Sequence, residues 1–226
     1  MPYGMTILPT VGRFLVGVDI FRRTGYNKGK NYGGSCPLLK EKVMKNKLVA
    51  IVGMCGTGKS DATEWFVERG WQRIYFGQVT MDELAREGLP VTPENERYER
   101  EKLRREYGMA AYAVKSKDKI LAYLEKGHVV LDGLYSWDEY KYITENVCKD
   151  LTVVAVMTDR ALRYSRLTNR PVRPLTHEQA VARDYAEIEN LAKGGPISIA
   201  DRFITNNGDK NAFRAAITAL IDELEA

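Results

Sequence analysis

The sequence is poor in the residue types that mark disulfide frameworks and metal centres. Its three cysteines, Cys36, Cys55 and Cys148, are widely separated and form no C-x-x-C pair. An odd, scattered set of this kind argues against a disulfide framework and predicts a reducing cytoplasm. The two histidines, His128 and His177, stand far apart and offer no metal-ligand cluster.

Long hydrophobic runs are also missing, since no apolar stretch approaches the roughly 20 residues of a membrane helix. We therefore expect no membrane partner. The formal net charge of +4 is concentrated at one end, because residues 1–43 carry +5 and residues 44–226 carry −1. The near-neutral remainder argues against a nucleic-acid partner, which would need a basic surface.

Residues 1–43 differ from the rest of the chain, since they are rich in glycine and lack clear periodicity. Domain-like sequence begins at Met44. One interpretation, which we favour, is that translation starts at Met44, because Lys40-Glu41 can be encoded by a ribosome-binding sequence. The other is a real, partly disordered basic arm. Under either interpretation, we expect residues 44–226 to form the functional domain.

The most informative segment is residues 53–60, which read Gly-Met-Cys-Gly-Thr-Gly-Lys-Ser and fit the phosphate-loop pattern G-x-x-x-x-G-K-[ST]. Gly53 and Gly58 let the backbone curl tightly and turn its N–H groups onto an anion. Lys59 can reach the β- and γ-phosphates, and the Ser60 hydroxyl is a natural Mg²⁺ ligand. The predicted nucleotide-binding residues of this loop are Gly53, Cys55, Gly56, Thr57, Gly58, Lys59 and Ser60.

The context of the loop supports this interpretation. Residues 48–52 form an apolar run typical of a buried parallel strand, and residues 61–69 have helical spacing that ends at Gly70. A helix in this place directs its positive end at the bound phosphates. The strand–loop–helix order therefore disfavours the alternative of a glycine-rich turn that matches the pattern by chance.

An acidic residue follows another apolar run, because residues 129–133 read Val-Val-Leu-Asp-Gly. In open parallel sheets, ligands bind beyond the carboxyl ends of the strands. Asp132 in that place can hold Mg²⁺ through water, as a Walker B acid does. The alternative is a capping or turn role for Asp132.

Arginines are dense after the apolar run 151–157, at Arg160, Arg163, Arg166, Arg170 and Arg173. Arg163, Arg166 and Arg170 follow i, i+3, i+7 spacing, which predicts one helix face for all three. Arginines beside a phosphate loop can neutralise charge on a transferred phosphoryl group, and we expect this of at least one of the last three. The alternative is a solvated basic face that pairs with Glu178 or Asp184.

The remaining pattern alternates strands and helices, which predicts a three-layer α/β fold. The predicted strands are residues 48–52, 72–76, 129–133, 151–157 and a short last one within 200–208. The predicted helices are residues 61–69, 81–87, 94–107, 110–126 and 176–192, the last broken by Gly194-Gly195-Pro196, and an amphipathic C-terminal helix.

Several of these segments resemble dephospho-coenzyme A kinase: the phosphate loop, the Val-Val-Leu-Asp-Gly run, the Arg166-Leu167…Arg170 element and residues 200–208. The middle of the chain, residues 77–110, resembles adenylate-kinase-related P-loop proteins of archaea and bacteria that are labelled only as ATPases or as dephospho-coenzyme A kinase-like. Together the resemblance runs from about residue 47 to the C-terminus.

The resemblance implies a three-layer αβα P-loop NTPase fold with a parallel, about five-stranded sheet. It implies a helical acceptor-binding insert at about residues 80–115 and a mobile, arginine-containing lid at about residues 166–192. ATP is then the donor and Mg²⁺ the cofactor. Carried over by position, Arg166 and Arg170 contact ATP phosphates, and Asn206 with its neighbours lines the adenine pocket.

The chain departs from these kinases on the acceptor side. Related kinases commonly have an aspartate after the second strand, where this chain has Gln78, and an amide cannot act as a general base. Many relatives also have an arginine near Met81, which this chain lacks. Both differences leave ATP binding untouched and put the acceptor in doubt. Asp132 can take part of the missing role.

These observations predict an ATP-dependent phosphotransferase that moves the γ-phosphate to a small nucleotide-like acceptor of the dephospho-coenzyme A or nucleoside monophosphate class. We predict catalytic roles for Lys59, Asp132, Arg166 and Arg170, metal binding by Ser60 and Asp132, and acceptor binding by Gln78, Arg100 and Arg104. Pairing with neighbouring glutamates is the alternative for the insert arginines. The alternative function is a P-loop ATPase or nucleotide switch that acts on a protein partner.

Overall fold

The computed structural model describes residues 45–226, so the two interpretations of residues 1–43 and the start at Met44 lie outside the described residues. Five strands form one sheet in which all neighbours are parallel. The strands are β1 (Leu48–Val52), β2 (Gln72–Tyr75), β3 (Val129–Asp132), β4 (Leu151–Met157) and β5 (Arg202–Thr205). Their spatial order is β2-β3-β1-β4-β5.

Nine helices accompany these strands within residues 45–226. They are α1 (Lys59–Glu68), α2 (Gly77–Arg86), α3 (Pro93–Tyr107), α4 (Ala111–Leu124), α5 (Trp137–Asn146), α6 (Arg160–Asn169), α7 (His177–Glu189), α8 (Gly194–Ser198) and α9 (Lys210–Glu225). None of the described helices combines the length and apolar composition that crossing a bilayer requires.

The central strands are apolar on both faces because helices cover both sides of the sheet. Every residue of β1 is buried, and its side chains alternate between two cores. Val49 and Ile51 pack with the apolar faces of α1 and α9, whereas Leu48, Ala50 and Val52 pack with α4 and α5. Continuous apolar strands are typical of such sheets. The three-layer α/β fold predicted from the sequence is confirmed.

The strand register brings the carboxyl ends of three strands to one edge of the sheet. Ile51 of β1 and Tyr75 of β2 both stand opposite Asp132 of β3. The strand order reverses beside β1, whose neighbours are β3 and β4. Ligands of open α/β sheets bind at such a switch point. The segment that follows β1, residues 53–60, starts at this place.

Several helix boundaries differ from the sequence prediction, and the start of α2 differs most. Helix α2 begins at Gly77 rather than at residue 81, so Gln78 lies in its first turn and not in a loop. Helix α7 ends at Glu189, before the predicted break at residues 194–196, and these three residues begin the short helix α8. Pro196 fits there because the first turn of a helix needs no N–H donor from its residues.

Helix α5 was not predicted from the sequence, although the sequence at its start contains a capping pattern. Ser136 and Glu139 form a capping box, in which Ser136 Oγ accepts from Glu139 N at 3.0 Å. Glu139 Oε2 in turn accepts from the backbone N of Tyr135 at 2.7 Å and of Ser136 at 3.0 Å. Burial outweighs these bonds and raises the pKa of Glu139 to about 7.

We expect Glu139→Gln to remove a pH dependence of stability. Because the folded-state pKa of about 7 lies above the ordinary value of 4.5, this carboxyl stabilises the fold fully below pH 4.5 and loses that contribution as the pH rises through 7. Between about pH 5.5 and about pH 8, the wild type should lose about 2 kcal/mol more unfolding free energy than Glu139→Gln. Urea unfolding at both pH values measures this. The exposed Glu145→Gln on the same helix is the control, and equal pH dependence in all three proteins would contradict the prediction.

Candidate active site

The phosphate loop adopts a backbone that its glycines alone permit. Gly53, Gly56 and Gly58 have φ angles of 145°, 84° and 97°. A Cβ atom at Gly53 would lie 2.5 Å from the carbonyl oxygen of Val156, and one at Gly58 would lie 2.4 Å from Nδ2 of Asn206. The loop therefore turns through conformations that disfavour side chains and packs too closely to admit them.

Side chains behind the loop hold it in place. Thr57 is buried, and its Oγ1 donates to Met54 O at 3.1 Å. Asn206 is buried as well, and its Nδ2 donates to Thr57 O at 2.8 Å. The structure thus gives Asn206 a part in fixing the loop, and its contact with adenine stays a prediction.

Lys59 begins helix α1, and its side chain returns across the loop. Its Nζ donates to Met54 O at 2.9 Å. Burial, aided by the nearby Lys193, lowers the pKa of Lys59 to about 8. A desolvated ammonium group favours an anionic partner, because a partner of opposite charge offsets the cost of removing it from water.

A cavity of about 560 Å³, here called the phosphate cavity, opens in front of the loop. It brings together Lys59, Ser60 and Asp132 with Arg166 and Arg170, as the sequence predicts. It also contains charged residues that the sequence analysis missed. These are Asp61, Arg73, Arg183, Glu187 and Lys193.

Ser60 and Asp132 are the predicted metal ligands, and both line the phosphate cavity. Asp132 is buried, and its Oδ2 accepts a hydrogen bond from the guanidinium group of Arg73 on β2. Mg²⁺ in nucleotide sites takes one or two carboxylates, and the bound phosphates and water supply its other ligands. One hydroxyl and one carboxylate in the same cavity fit that requirement. The residue range 45–226 holds no cluster of three acidic, histidine or cysteine ligands.

The predicted arginine face divides into two parts. Arg163 is buried and does not line the phosphate cavity. It donates hydrogen bonds of 2.9 and 2.6 Å to the two carboxylate oxygens of Asp184 and one of 3.0 Å to Cys55 O. Arg163 thus pairs with Asp184, as the alternative named, but the pair is buried and does not form a solvated face. Arg166 lines the phosphate cavity, and its Nη1 is buried without a hydrogen-bond partner.

The prediction that Arg170 shares a helix face with Arg163 and Arg166 was wrong. Helix α6 ends at Asn169, and Arg170 has extended backbone with φ −70° and ψ 144°. The following Pro171 explains this, because proline disfavours helical backbone in the residue before it. Arg170 still lines the phosphate cavity, and its Nε donates to Arg173 O at 2.7 Å.

A second cavity of about 810 Å³, here called the insert cavity, lies among α2, α3, α4 and α7. Arg100 and Arg104 both line it, and their binding of an acceptor stays a prediction. Arg104 lies over the ring of Tyr112 at 5.8 Å, and its Nε is buried without a hydrogen-bond partner. Gln78 does not join them, because its side chain is exposed on α2 and its amide donates to Asp82. The structure therefore gives no support to acceptor binding by Gln78.

The predicted lid and insert are linked across this cavity by an ion pair. Arg173 donates to Glu96 at 2.8 Å, and Arg100 donates to the same carboxylate at 3.3 Å. Burial alone would raise the pKa of Glu96, but these arginines outweigh burial and hold the pKa below its ordinary value. Glu96 is therefore an anion already paired with two cations.

The two cavities have a common wall. Tyr75, Tyr135, Arg170, Arg183 and Glu187 line both of them. The phosphate loop therefore faces, across these side chains, a larger cavity that is rich in arginine.

Comparisons with known proteins agree with this architecture. A family model described as an AAA domain matches residues 49–188. The UPF0200 protein of Thermococcus kodakarensis is 33% identical over 185 residues, which cover 78% of this chain and 97% of the relative. The UPF0200 protein of Thermococcus gammatolerans is 33% identical over 181 residues, which cover 78% and 95%. The chain belongs to the UPF0200 family.

Solved structures place the fold of this UPF0200 chain among P-loop kinases. A dephospho-CoA kinase from Campylobacter jejuni matches with a TM-score of 0.53 and 16% identity over 79% of this chain and 96% of its own. A shikimate kinase from Bacteroides thetaiotaomicron matches with a TM-score of 0.51 and 13% identity over 80% and 99%. At such identities the likeness is one of fold, and it confirms the resemblance to P-loop kinases.

We expect Lys59→Met to lower the affinity for MgATP at least about 100-fold, because charge-assisted hydrogen bonds to two phosphate groups are lost. Isothermal titration calorimetry measures this affinity. Lys149→Met is the matched control, since Lys149 is exposed in the turn before β4 and lines neither cavity. Undiminished MgATP binding by Lys59→Met would rule out the phosphate loop as the nucleotide site.

Proposed function

We propose that this protein is an ATP-dependent phosphotransferase that moves the γ-phosphate of ATP to a small, nucleotide-like acceptor. The observation that supports this function best is the common wall between the phosphate cavity and the insert cavity. Donor and acceptor bound in these two cavities would meet at that wall. Catalysis of phosphoryl transfer consists mainly of such positioning and of charge stabilisation.

On the donor side, the phosphate loop would hold the phosphates of ATP. Ser60 and Asp132 would hold Mg²⁺, which neutralises charge on the phosphates when it is bound. Arg166 and Arg170 would contact the phosphoryl oxygens, and the unpartnered Nη1 of Arg166 is a donor suited to that contact. Cys55 and Cys148 carry free thiols, as we expect of a protein that acts in the reducing cytoplasm.

On the acceptor side, the insert cavity has the size and charge that an anionic nucleotide requires. Its volume of about 810 Å³ lies within the range of small-molecule sites. Five arginines line it against two glutamates, and guanidinium groups bind phosphate oxygens in pairs. Tyrosine rings supply flat apolar surface against which a base can pack, at Tyr75, Tyr112 and Tyr135.

The carboxylates of the insert cavity favour a phosphate acceptor over a hydroxyl acceptor. Glu96 is paired with Arg173 and Arg100, and Glu187 is paired with Lys193 and Arg183. A hydroxyl must lose its proton to a base during transfer, and carboxylates held by cations are poor bases. A phosphate oxygen is already ionised at neutral pH and needs no base. A nucleoside monophosphate therefore suits this cavity better than dephospho-CoA.

A panel assay tests the proposed function. The protein is supplied with ATP, Mg²⁺ and one acceptor at a time, from AMP and other nucleoside monophosphates, dephospho-CoA and nucleosides. ADP release and ³¹P NMR of the product follow the reaction. We expect turnover that depends on a monophosphate. Slow hydrolysis that no acceptor changes would overturn the proposal and favour an ATPase or switch that acts on a protein partner, which the paired carboxylates would also permit.

We expect Arg104→Met to raise the KM for the acceptor about 10- to 100-fold, because an arginine–phosphate contact is lost. The affinity for MgATP should remain unchanged, since Arg104 does not line the phosphate cavity. Arg105→Met is the matched control, because Arg105 is the next residue of α3 and is exposed outside both cavities. Steady-state kinetics and calorimetry measure the two constants. Equal KM values for the two variants would contradict an acceptor site at Arg104.

A further inference from the structure

A second lysine lies buried beside the phosphate loop, and it belongs to no recognised sequence motif. Lys193 immediately precedes helix α8 and is 1% exposed, yet it lines the phosphate cavity together with Lys59. Fully buried lysines are rare, because the ammonium group loses its hydration. A lysine held in such a place needs either a structural or a chemical reason.

The partners of Lys193 do not use all the hydrogen-bond donors of its ammonium group. Its Nζ donates to Glu187 Oε2 at 2.6 Å and lies 4.9 Å from the ring centre of Tyr135. An ammonium group carries three N–H donors. The Glu187 carboxylate takes one and the Tyr135 ring faces another. Among the described residues, no further acceptor is found for the third donor.

The charge around Lys193 is not balanced by the protein. Glu187 is shared, since its Oε1 accepts from Arg183 at 3.2 Å while its Oε2 accepts from Lys193. The other carboxylates of the phosphate cavity are paired elsewhere, Asp132 with Arg73 and Asp61 with Lys210. Lys59 and Lys193 therefore line one cavity that has an excess of positive charge. That excess suits a ligand with several negative charges.

The position of Lys193 lies close to where the γ-phosphate of ATP would stand in the proposed reaction. Tyr135 and Glu187 both contact Lys193, and both belong to the wall that the two cavities share. In the proposed reaction, the γ-phosphoryl group crosses this wall, whereas the α- and β-phosphates stay in the loop. Lys193 thus lies where negative charge on the transferred group must be stabilised.

We propose that Lys193 is a catalytic residue, whose ammonium group donates a hydrogen bond to the γ-phosphoryl group while Glu187 positions it. This inference rests on the proposed function. In the step, a bond forms from the acceptor oxygen to the γ-phosphorus, and the bond from that phosphorus to the bridging oxygen of ADP breaks. Lys193 keeps its protons throughout and supplies positive charge alone.

A comparison of ATP with ADP tests the contact without turnover. We expect Lys193→Met to weaken MgATP binding about tenfold or more and MgADP binding less than about threefold, because the lost hydrogen bond belongs to the γ-phosphate. Lys193→Arg, which keeps the charge, should regain part of the difference. Lys149→Met serves as the control. Calorimetry with both nucleotides measures the ratio, and an equal loss for ATP and ADP would overturn the contact.

The double variant Glu187→Gln with Lys193→Met separates a catalytic role from a structural one. It removes both charges of the buried pair, so no unpaired carboxylate remains to disturb the fold. The double variant can therefore also replace the single variant if Lys193→Met does not fold. We expect kcat to stay about 100-fold below wild type in the double variant, with the KM for the acceptor changed only a few-fold. Recovery of wild-type kcat in the double variant would show that the pair is structural and would overturn the proposal.

The two proposals fail in different ways. A wild type that binds MgATP but turns over no acceptor overturns the proposed function, whatever the ATP-to-ADP ratio of Lys193→Met. A wild type with acceptor-dependent turnover, together with an unchanged ratio and unchanged kcat in Lys193→Met, overturns the role of Lys193 alone.

Discussion

The close packing of the phosphate loop is the constraint on which the rest of the structure depends. Gly53 lies against the backbone of Val156 on β4, Gly56 against the backbone of helix α6, and Gly58 against Asn206 after β5. Side chains at these positions would push the loop away from three elements at once. Because the loop is held from three sides, the first turn of α1 opens onto the same space as Asp132.

The second determinant is an excess of positive charge around the two cavities. Every carboxylate that lines the two cavities, among the described residues, has an arginine or lysine partner. The further cations, which include Lys59 and Arg166, form no ion pair in the described structure. Desolvated cations cost free energy that a bound polyphosphate offsets. The preference for phosphate that we propose therefore depends on the whole arrangement rather than on any one arginine.

Local patterns predicted much of the fold. The apolar runs of β1 and β4 matched their observed bounds, and Thr92 caps α3 as a threonine before proline predicts. The wrong predictions concern helix boundaries, which depend on the neighbouring residues. Helix α2 begins four residues earlier than expected, and Arg170 leaves its helix because of Pro171. Helix α5 was missed although its capping box is visible in the sequence.

The sequence by itself determined the phosphate-loop chemistry and the α/β class, because both are encoded in residues close together along the chain. Only the tertiary structure decided which distant side chains share a cavity. The parallel pairing of β2 with β3 brings the Arg73 side chain within hydrogen-bond reach of Asp132. The chain after α7 buries Lys193 in the cavity that Lys59 lines, and the early start of α2 leaves Gln78 in solvent. Spacing along the chain reports local conformation, whereas these partnerships follow from the order in which the strands pack into the sheet.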